Sequence, residues 1–224
     1  MSEFEEIDAS AFEEAKNIYE KEFLFILSKI ALCYKRIVQN GEDLTNNEDA
    51  IRDHIHCNYL NNQTVLNELN LLYHFECEPK EFGTSDGYLD IKIFNSNIFQ
   101  NKSEYFIIEC KRINNQNKRG ETGLNAKYIT EGIVRFVQKK YSSFHRINGM
   151  LGFVVENMNI SDNITDINHL LANTFKGSNT MVLVSPIDLI EDFDQLYYSE
   201  HKDIDNADFK LFHLMLDFSN NISI

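Results

Sequence analysis

Gly87-Tyr88-Leu89-Asp90-Ile91-Lys92-Ile93-Phe94 and Tyr105-Phe106-Ile107-Ile108-Glu109-Cys110-Lys111-Arg112 decide how this chain is read. Both runs have the β-branched and aromatic character of strands. Both also carry charge where a buried strand should be apolar. Side chains alternate along a strand, so Glu109 and Lys111 face one side of the second run, and Ile108 and Cys110 the other. If Asp90 on the neighbouring strand faces the same way as Glu109, two carboxylates and an ammonium converge on one point. Buried charges of this kind are costly unless they pair or bind a metal.

On the C-terminal side of these runs, a helix is predicted from about Leu124 to Tyr141, with Ile129, Ile133, Val134, Phe136 and Val137 at helical spacing. The apolar run Gly149 to Val155 follows as another strand. A strand–helix–strand crossover favours parallel neighbours in a sheet. Beyond it the pattern predicts a helix near Ile167 to Phe175, a strand Met181 to Val184, a helix opened by Ser185-Pro186, and a final apolar run Lys210 to Asp217. On the N-terminal side, residues from about Ala11 to Gln39 read as one long helix whose apolar residues nearly encircle its middle. Such a helix is either buried on several sides or packed against another subunit. A second helix begins near Thr45-Asn46-Asn47-Glu48, which has capping-box spacing, and a short helix follows near Thr64 to Leu69. Leu71 to Glu78 reads as a further strand. The fold class expected is α/β, a mixed β-sheet flanked by helices with an added long N-terminal helix.

The chain of 224 residues, 43% hydrophobic and 12% aromatic, has the composition of a globular protein with enough length for one sizeable core. Its acidic start and the lack of any apolar run near the roughly 20 residues that span a bilayer predict a cytoplasmic protein without membrane contact. Cys33, Cys57, Cys77 and Cys110 have neither C-x-x-C spacing nor scaffold density, which suits free thiols. The net charge of −14 argues at first against nucleic acid. Between Lys111 and Arg146, however, nine basic residues stand against Glu121 and Glu131, a local excess of +7. That excess is either a solvated helix face or a phosphate-binding surface beside the acidic cluster.

Asp90, then Glu109-Cys110-Lys111 nineteen residues later on the next strand, followed by a helix and another strand, resemble the PD-(D/E)XK nuclease superfamily, the restriction-endonuclease-like fold. The resemblance covers roughly residues 45–155. The segments around Tyr198-Ser199-Glu200-His201 and His213-Leu214-Met215-Leu216-Asp217 also look like restriction-type members from bacterial defence loci. Leu89 departs from the family pattern, where a proline precedes the aspartate; no ligand is lost by it. The resemblance implies a Mg²⁺-dependent endonuclease acting on DNA in antiviral defence, with Mn²⁺ as a substitute metal and RNA left open as substrate. It divides the chain into a helical extension (1–44), a nuclease core (45–155) and a C-terminal elaboration (156–224) of a single nuclease-like domain.

Phosphodiester hydrolysis needs an activated water and neutralisation of charge on the phosphate, which a hard cation held by carboxylates supplies. Under the resemblance Asp90 and Glu109 are the metal carboxylates, and the Cys110 backbone carbonyl is a third oxygen. Lys111 stands beside the attacking water. Glu48 is a candidate fourth catalytic residue, although at position N3 of a capping box it would simply satisfy a backbone N–H. Arg112, Lys118, Arg119, Lys127, Arg135 and Lys139 are the candidate nucleic-acid contacts; Arg135 equally suits an ion pair with Glu131. His201 and His213 belong either to the site or to the core, and His54, His56 and Cys57 lack the second ligand pair that zinc requires. The alternative to an enzyme is an interaction subunit of a larger defence complex that keeps the nuclease fold, docking a homo-oligomer or another protein through the N-terminal helix.

Overall fold

The computed structural model describes residues 10–79, 89–95, 105–141 and 146–223. Gly87 and Tyr88 of the first quoted run, and the acidic start of the chain, lie outside them. Helix α1 (Ser10–Asn40) buries Tyr19, Phe23, Ile26, Leu27, Ile30, Ala31 and Ile37, spaced by three and four. It stops where Gly41 takes φ +62°, a left-handed geometry that lets the Gly41 and Glu42 N–H groups donate to the carbonyls of Val38 and Ile37. Phe23 stacks on Phe106 with ring centroids 4.8 Å apart and meets Phe212 at 6.1 Å. The apolar stripe of α1 is therefore covered by the sheet of its own chain, while Ile18 and Phe25 stay exposed.

The sheet contains β1 (Tyr73–Cys77), β2 (Ile91–Asn95), β3 (Tyr105–Ile113), β4 (Ile147–Val154), β5 (Thr180–Pro186), β6 (Leu196–Lys202) and β7 (Asp208–Asp217). Their order is β1-β2-β3-β4-β7-β6-β5. The pairs β3–β4 and β4–β7 are parallel, and the outer pairs are antiparallel. This is an α/β chain with a mixed sheet, and the parallel β3–β4 pair is the one expected from the crossover. On one face lie α1, α2 (Glu48–Ile55, continued by a π-helical turn His56–Leu60) and α3 (Gln63–Glu68), packed over Ile91, Ile93, Phe106, Ile108 and Cys110. On the other face lie α4 (Leu124–Lys127), a π-helical stretch Tyr128–Ile133, α5 (Val134–Val137) and α6 (Ile160–Asn173), packed over Ile107, Ile113, Met150 and Met215. Among the described residues no helix is long and apolar enough to cross a membrane.

Four local expectations are corrected. Asn47, not Thr45, caps α2: its side chain accepts the Ala50 N–H, which makes Glu48 the first helical residue and frees its carboxylate from capping. The helix expected up to Tyr141 ends at Val137. The helix expected from Ile167 begins at Ile160, capped by Asn159 through the Asp162 N–H. Ser185-Pro186 opens no helix; both residues pair with β6 at the end of β5. β5 is an outermost strand, so the missing N–H of Pro186 costs no ladder bond on a second neighbour.

Beneath the second face runs a buried polar chain. Ser178 carbonyl accepts from His201 Nδ1 at 2.9 Å, which fixes Nδ1 as the protonated nitrogen and Nε2 as an acceptor. Ser199 therefore donates to His201 Nε2 at 2.7 Å and accepts from His213 Nε2 at 2.7 Å, and Tyr128 donates to His213 Nδ1 at 2.8 Å. Burial pushes His201 down to about 4, opposed only by the Ser178 carbonyl; burial together with His201 pushes His213 down to about 3.

Two measurements test this architecture. Phe23→Ala should cost about 3–5 kcal/mol in urea unfolding, the loss usual for a buried aromatic; a loss below about 1 kcal/mol would remove α1 from the core. Both histidines are neutral in the native state and protonate near 6.5 once exposed, so the unfolded chain binds the extra protons. Stability should fall as pH drops from 6.5 towards about 4. That slope should flatten in His201→Gln/His213→Gln, followed by thermal melts across the same range.

Candidate active site

Asp90 immediately precedes β2, where the register Ile91↔Ile108 places it opposite Glu109. Its Oδ2 accepts the Cys110 N–H at 2.7 Å, so the aspartate is fixed to the backbone of the strand that carries the other charges. Glu109 and Lys111 have the parity of Ile107 and Ile113 and lie on the same sheet face, while the Cys110 side chain is fully buried in the opposite core. The Lys111 ammonium stands at the centre. It lies 2.9 Å from Glu109 Oε1, 2.9 Å from Glu48 Oε1, 2.7 Å from the Cys110 carbonyl oxygen and 4.0 Å from Asp90 Oδ2. Glu48 reaches it from the first turn of α2, and its Oε2 accepts the Arg112 N–H at 2.9 Å. Freed from capping, this glutamate links α2 to β3.

The outer partners close the cluster. Glu109, fully buried, accepts from Arg135 Nη1 on Oε1 at 2.7 Å and from Tyr141 on Oε2 at 2.7 Å; Arg135 Nη1 also donates to the Tyr141 hydroxyl at 2.9 Å. Arg52, buried on α2, donates to Asp90 Oδ1 at 3.2 Å, to Asp53 at 2.8 Å and to Glu78 at 3.0 Å. The helical segment over the site comes unusually close because Gly132 has no Cβ. An added Cβ would lie 2.5 Å from the Met150 methyl and 3.5 Å from Lys111 Cγ. The π-helical stretch that contains Gly132 thus lies directly on the lysine stem, an insertion of the kind that often marks functional sites.

The electrostatics follow from burial. Burial pushes the Lys111 ammonium towards neutrality, but Glu109, Asp90 and Glu48 together outweigh it and hold its proton more tightly than usual. Burial, then the Asp90 charge, raises Glu109 to about 7 against Lys111, Arg135 and Tyr141. Burial likewise raises Asp90, opposed by Lys111, the Cys110 N–H and Arg52.

The remaining sequence candidates are dispersed. Arg112 bonds the Asn46 carbonyl and side chain at 2.9 and 2.8 Å. Lys118 and Arg119 share Asp166 at 3.3 and 2.5 Å, Lys139 pairs with Asp205 at 2.6 Å, and Lys127 is exposed. Arg135 turns to Glu109 and not to the exposed Glu131. His201 and His213 are both fully buried in the polar chain described above. Arg52 and Tyr141 carry no sequence signal as site residues. Arg52 sits between Asp49 and Asp53 like a surface ion-pair residue, and Tyr141 reads as the tail of a helix.

The family resemblance implies Mg²⁺. Carboxylates and a backbone carbonyl are the donor types a hard divalent cation takes, but here they converge on the Lys111 ammonium. Among the described residues, no group of three or more His, Cys, Asp or Glu is disposed to hold a metal ion. The oxygens of the cluster are engaged by lysine, arginine, tyrosine and backbone N–H donors instead.

Glu109→Gln tests the electrostatic reading, because glutamine keeps the shape of the protonated acid. Glu109 protonates near 4.5 when exposed and about 7 when folded, so the native state holds the extra proton and the wild type loses stability as pH rises between these values. The Tm difference, variant minus wild type, should rise steadily from pH 4.5 to 7; a constant difference would mean that Glu109 is ionised throughout. Comparison of the chain with family models, curated proteins and solved structures gave no match, so the function is inferred from this geometry.

Proposed function

We propose that the chain is a metal-dependent nuclease, a DNA endonuclease of the restriction-endonuclease-like fold, with Asp90, Glu109, Lys111 and Glu48 as its active site. One observation carries this reading. Glu48, Asp90, Glu109 and the Cys110 carbonyl, from three separate segments, surround a single ammonium within 4.0 Å. A cation bound by Asp90, Glu109 and the Cys110 carbonyl would polarise a phosphate oxygen and lower the pKa of a water. Lys111, protonated in its carboxylate cage, acts as a donor to developing negative charge and not as a general base. Glu48 holds the lysine in place from α2. Asp90 fixes the spacing of the two strands through the Cys110 N–H. Tyr141 and Arg135 orient the Glu109 carboxylate, and burial keeps bulk water from competing for it.

A second reading has an observation of its own. Glu48, Asp90 and Glu109 all have donors within the protein, which favours a structural ion cluster in a non-catalytic interaction subunit of a larger complex. The two readings part in a cleavage assay on supercoiled plasmid, linear duplex, single-stranded DNA and RNA with Mg²⁺, Mn²⁺ or EDTA. The nuclease reading expects metal-dependent cutting that falls by at least about 100-fold in Lys111→Ala and in Glu109→Ala, the scale of losing one electrostatic stabiliser. Cutting by folded Lys111→Ala at the wild-type rate would reject this site.

A further inference from the structure

Helix α1 has a second apolar line besides the one that covers the sheet. Ile18, Phe25 and Leu32 are 59%, 41% and 37% exposed. They are spaced by sevens, and a helix drifts by only about 20° per seven residues, so the three form one line roughly 21 Å long. Large apolar side chains left in water along one line make a seam that a second helix fits.

The charges beside this seam are arranged about Phe25. Glu14 and Glu22 flank Ile18 in the N-terminal half, and Lys29 and Arg36 flank Leu32 in the C-terminal half. From Phe23 to Asn40 the helix has no acidic residue. Glu14 is exposed and has no ion pair among the described residues, where Lys29 reaches only the Phe25 ring, 4.9 Å from its centroid. The donors to Glu22, Tyr73 and Asn95, both reach Oε1, at 2.6 and 3.4 Å, and leave Oε2 without a described partner. Arg36 meets Glu68 at 2.8 Å in a pair exposed on both sides.

A parallel partner helix of the same sequence would set Glu14 against Glu14 and Arg36 against Arg36. An antiparallel copy turned about a two-fold axis at Phe25 reverses this. Ile18 then meets Leu32 of the other copy, Phe25 meets Phe25, Glu14 meets Arg36 and Glu22 meets Lys29, while Lys21 falls beside Ser28. Such an interface is isologous and closes at two copies.

We propose that this face of α1 is a homodimer seam, on which two copies of the chain pair antiparallel through Ile18, Phe25 and Leu32. The inference is independent of the nuclease reading. The net charge of −14 on each copy opposes association. At physiological ionic strength, charges farther apart than about 8 Å are largely screened, whereas the facing pairs are closer than that.

Sedimentation equilibrium of the full chain at physiological salt is the test. The wild type should dimerise with a Kd on the micromolar order, as suits a small seam. Phe25→Glu should weaken association at least about 100-fold, since the change occurs twice in each dimer. Glu14→Arg and Arg36→Glu should each weaken it, and their combination should restore it, with thermal melts confirming the fold of each variant. The swap does not repair the Glu68 pair within the chain, so recovery reads contact between copies. Orientation is read by oxidative crosslinking in a Cys57→Ser/Cys77→Ser background, where the remaining cysteines are buried. Ile18→Cys mixed with Leu32→Cys should give a disulfide-linked dimer, and Ile18→Cys alone should not. A wild type that stays monomeric at roughly 100 μM overturns the proposal. So does a dimer unaffected by folded Phe25→Glu, or one in which Ile18→Cys crosslinks to itself in preference to Leu32→Cys.

Discussion

The ammonium of Lys111 organises the centre of this protein. Glu109 and the Cys110 carbonyl belong to β3, Asp90 to the segment before β2, and Glu48 to the first turn of α2; the lysine contacts all of them. Each carboxylate alone would be a costly group to bury, and the lysine alone equally so. Together they are affordable, and their mutual geometry sets where α2 lies relative to the sheet. The backbone joins in, with Asp90 fixed to the Cys110 N–H and Glu48 to the Arg112 N–H.

Strand alternation made half of this cluster legible. Glu109 and Lys111 two residues apart on an apolar strand must share a face, and an acid before the partner strand completes the set. Glu48 was visible but ambiguous, because a glutamate three residues after Thr45 also reads as a capping partner, and only the folded turn shows that Asn47 caps instead. Arg52 and Tyr141 were invisible for different reasons. Arg52 has acidic neighbours at ordinary helical spacing, which look like a solvated face, yet it is 4% exposed. Tyr141 reaches Glu109 only because the helix ends at Val137 and the chain turns back.

Elsewhere the misreadings share a cause, the absence of tertiary partners from a linear string. Pro186 suggested a helix start because its tolerance at a sheet edge depends on which strands flank it. The basic run from Lys111 to Arg146 has a local excess of +7 in the sequence, and acids from distant segments, Asp166 and Asp205 among them, pair with several of its members. Local charge excess is a property of the sequence; surface potential belongs to the fold. The long helix α1 and the parallel β3–β4 pair were readable because each follows from one local pattern, apolar spacing in the first and the crossover in the second.

The place of β7 between β4 and β6 has a consequence for synthesis of the chain. β4 pairs with β3 on one side, but its other side is open until Asp208–Asp217 have left the ribosome. The loop before α2 waits later still, since Leu44 bonds Asn221 and Ser223. A nascent chain that has already made every charged residue of the cluster therefore still lacks the strand that completes the sheet beneath them. Its β4 edge is a row of unpaired backbone groups able to recruit other strands. The sheet beneath the centre is therefore complete only once β6 and β7 have been made.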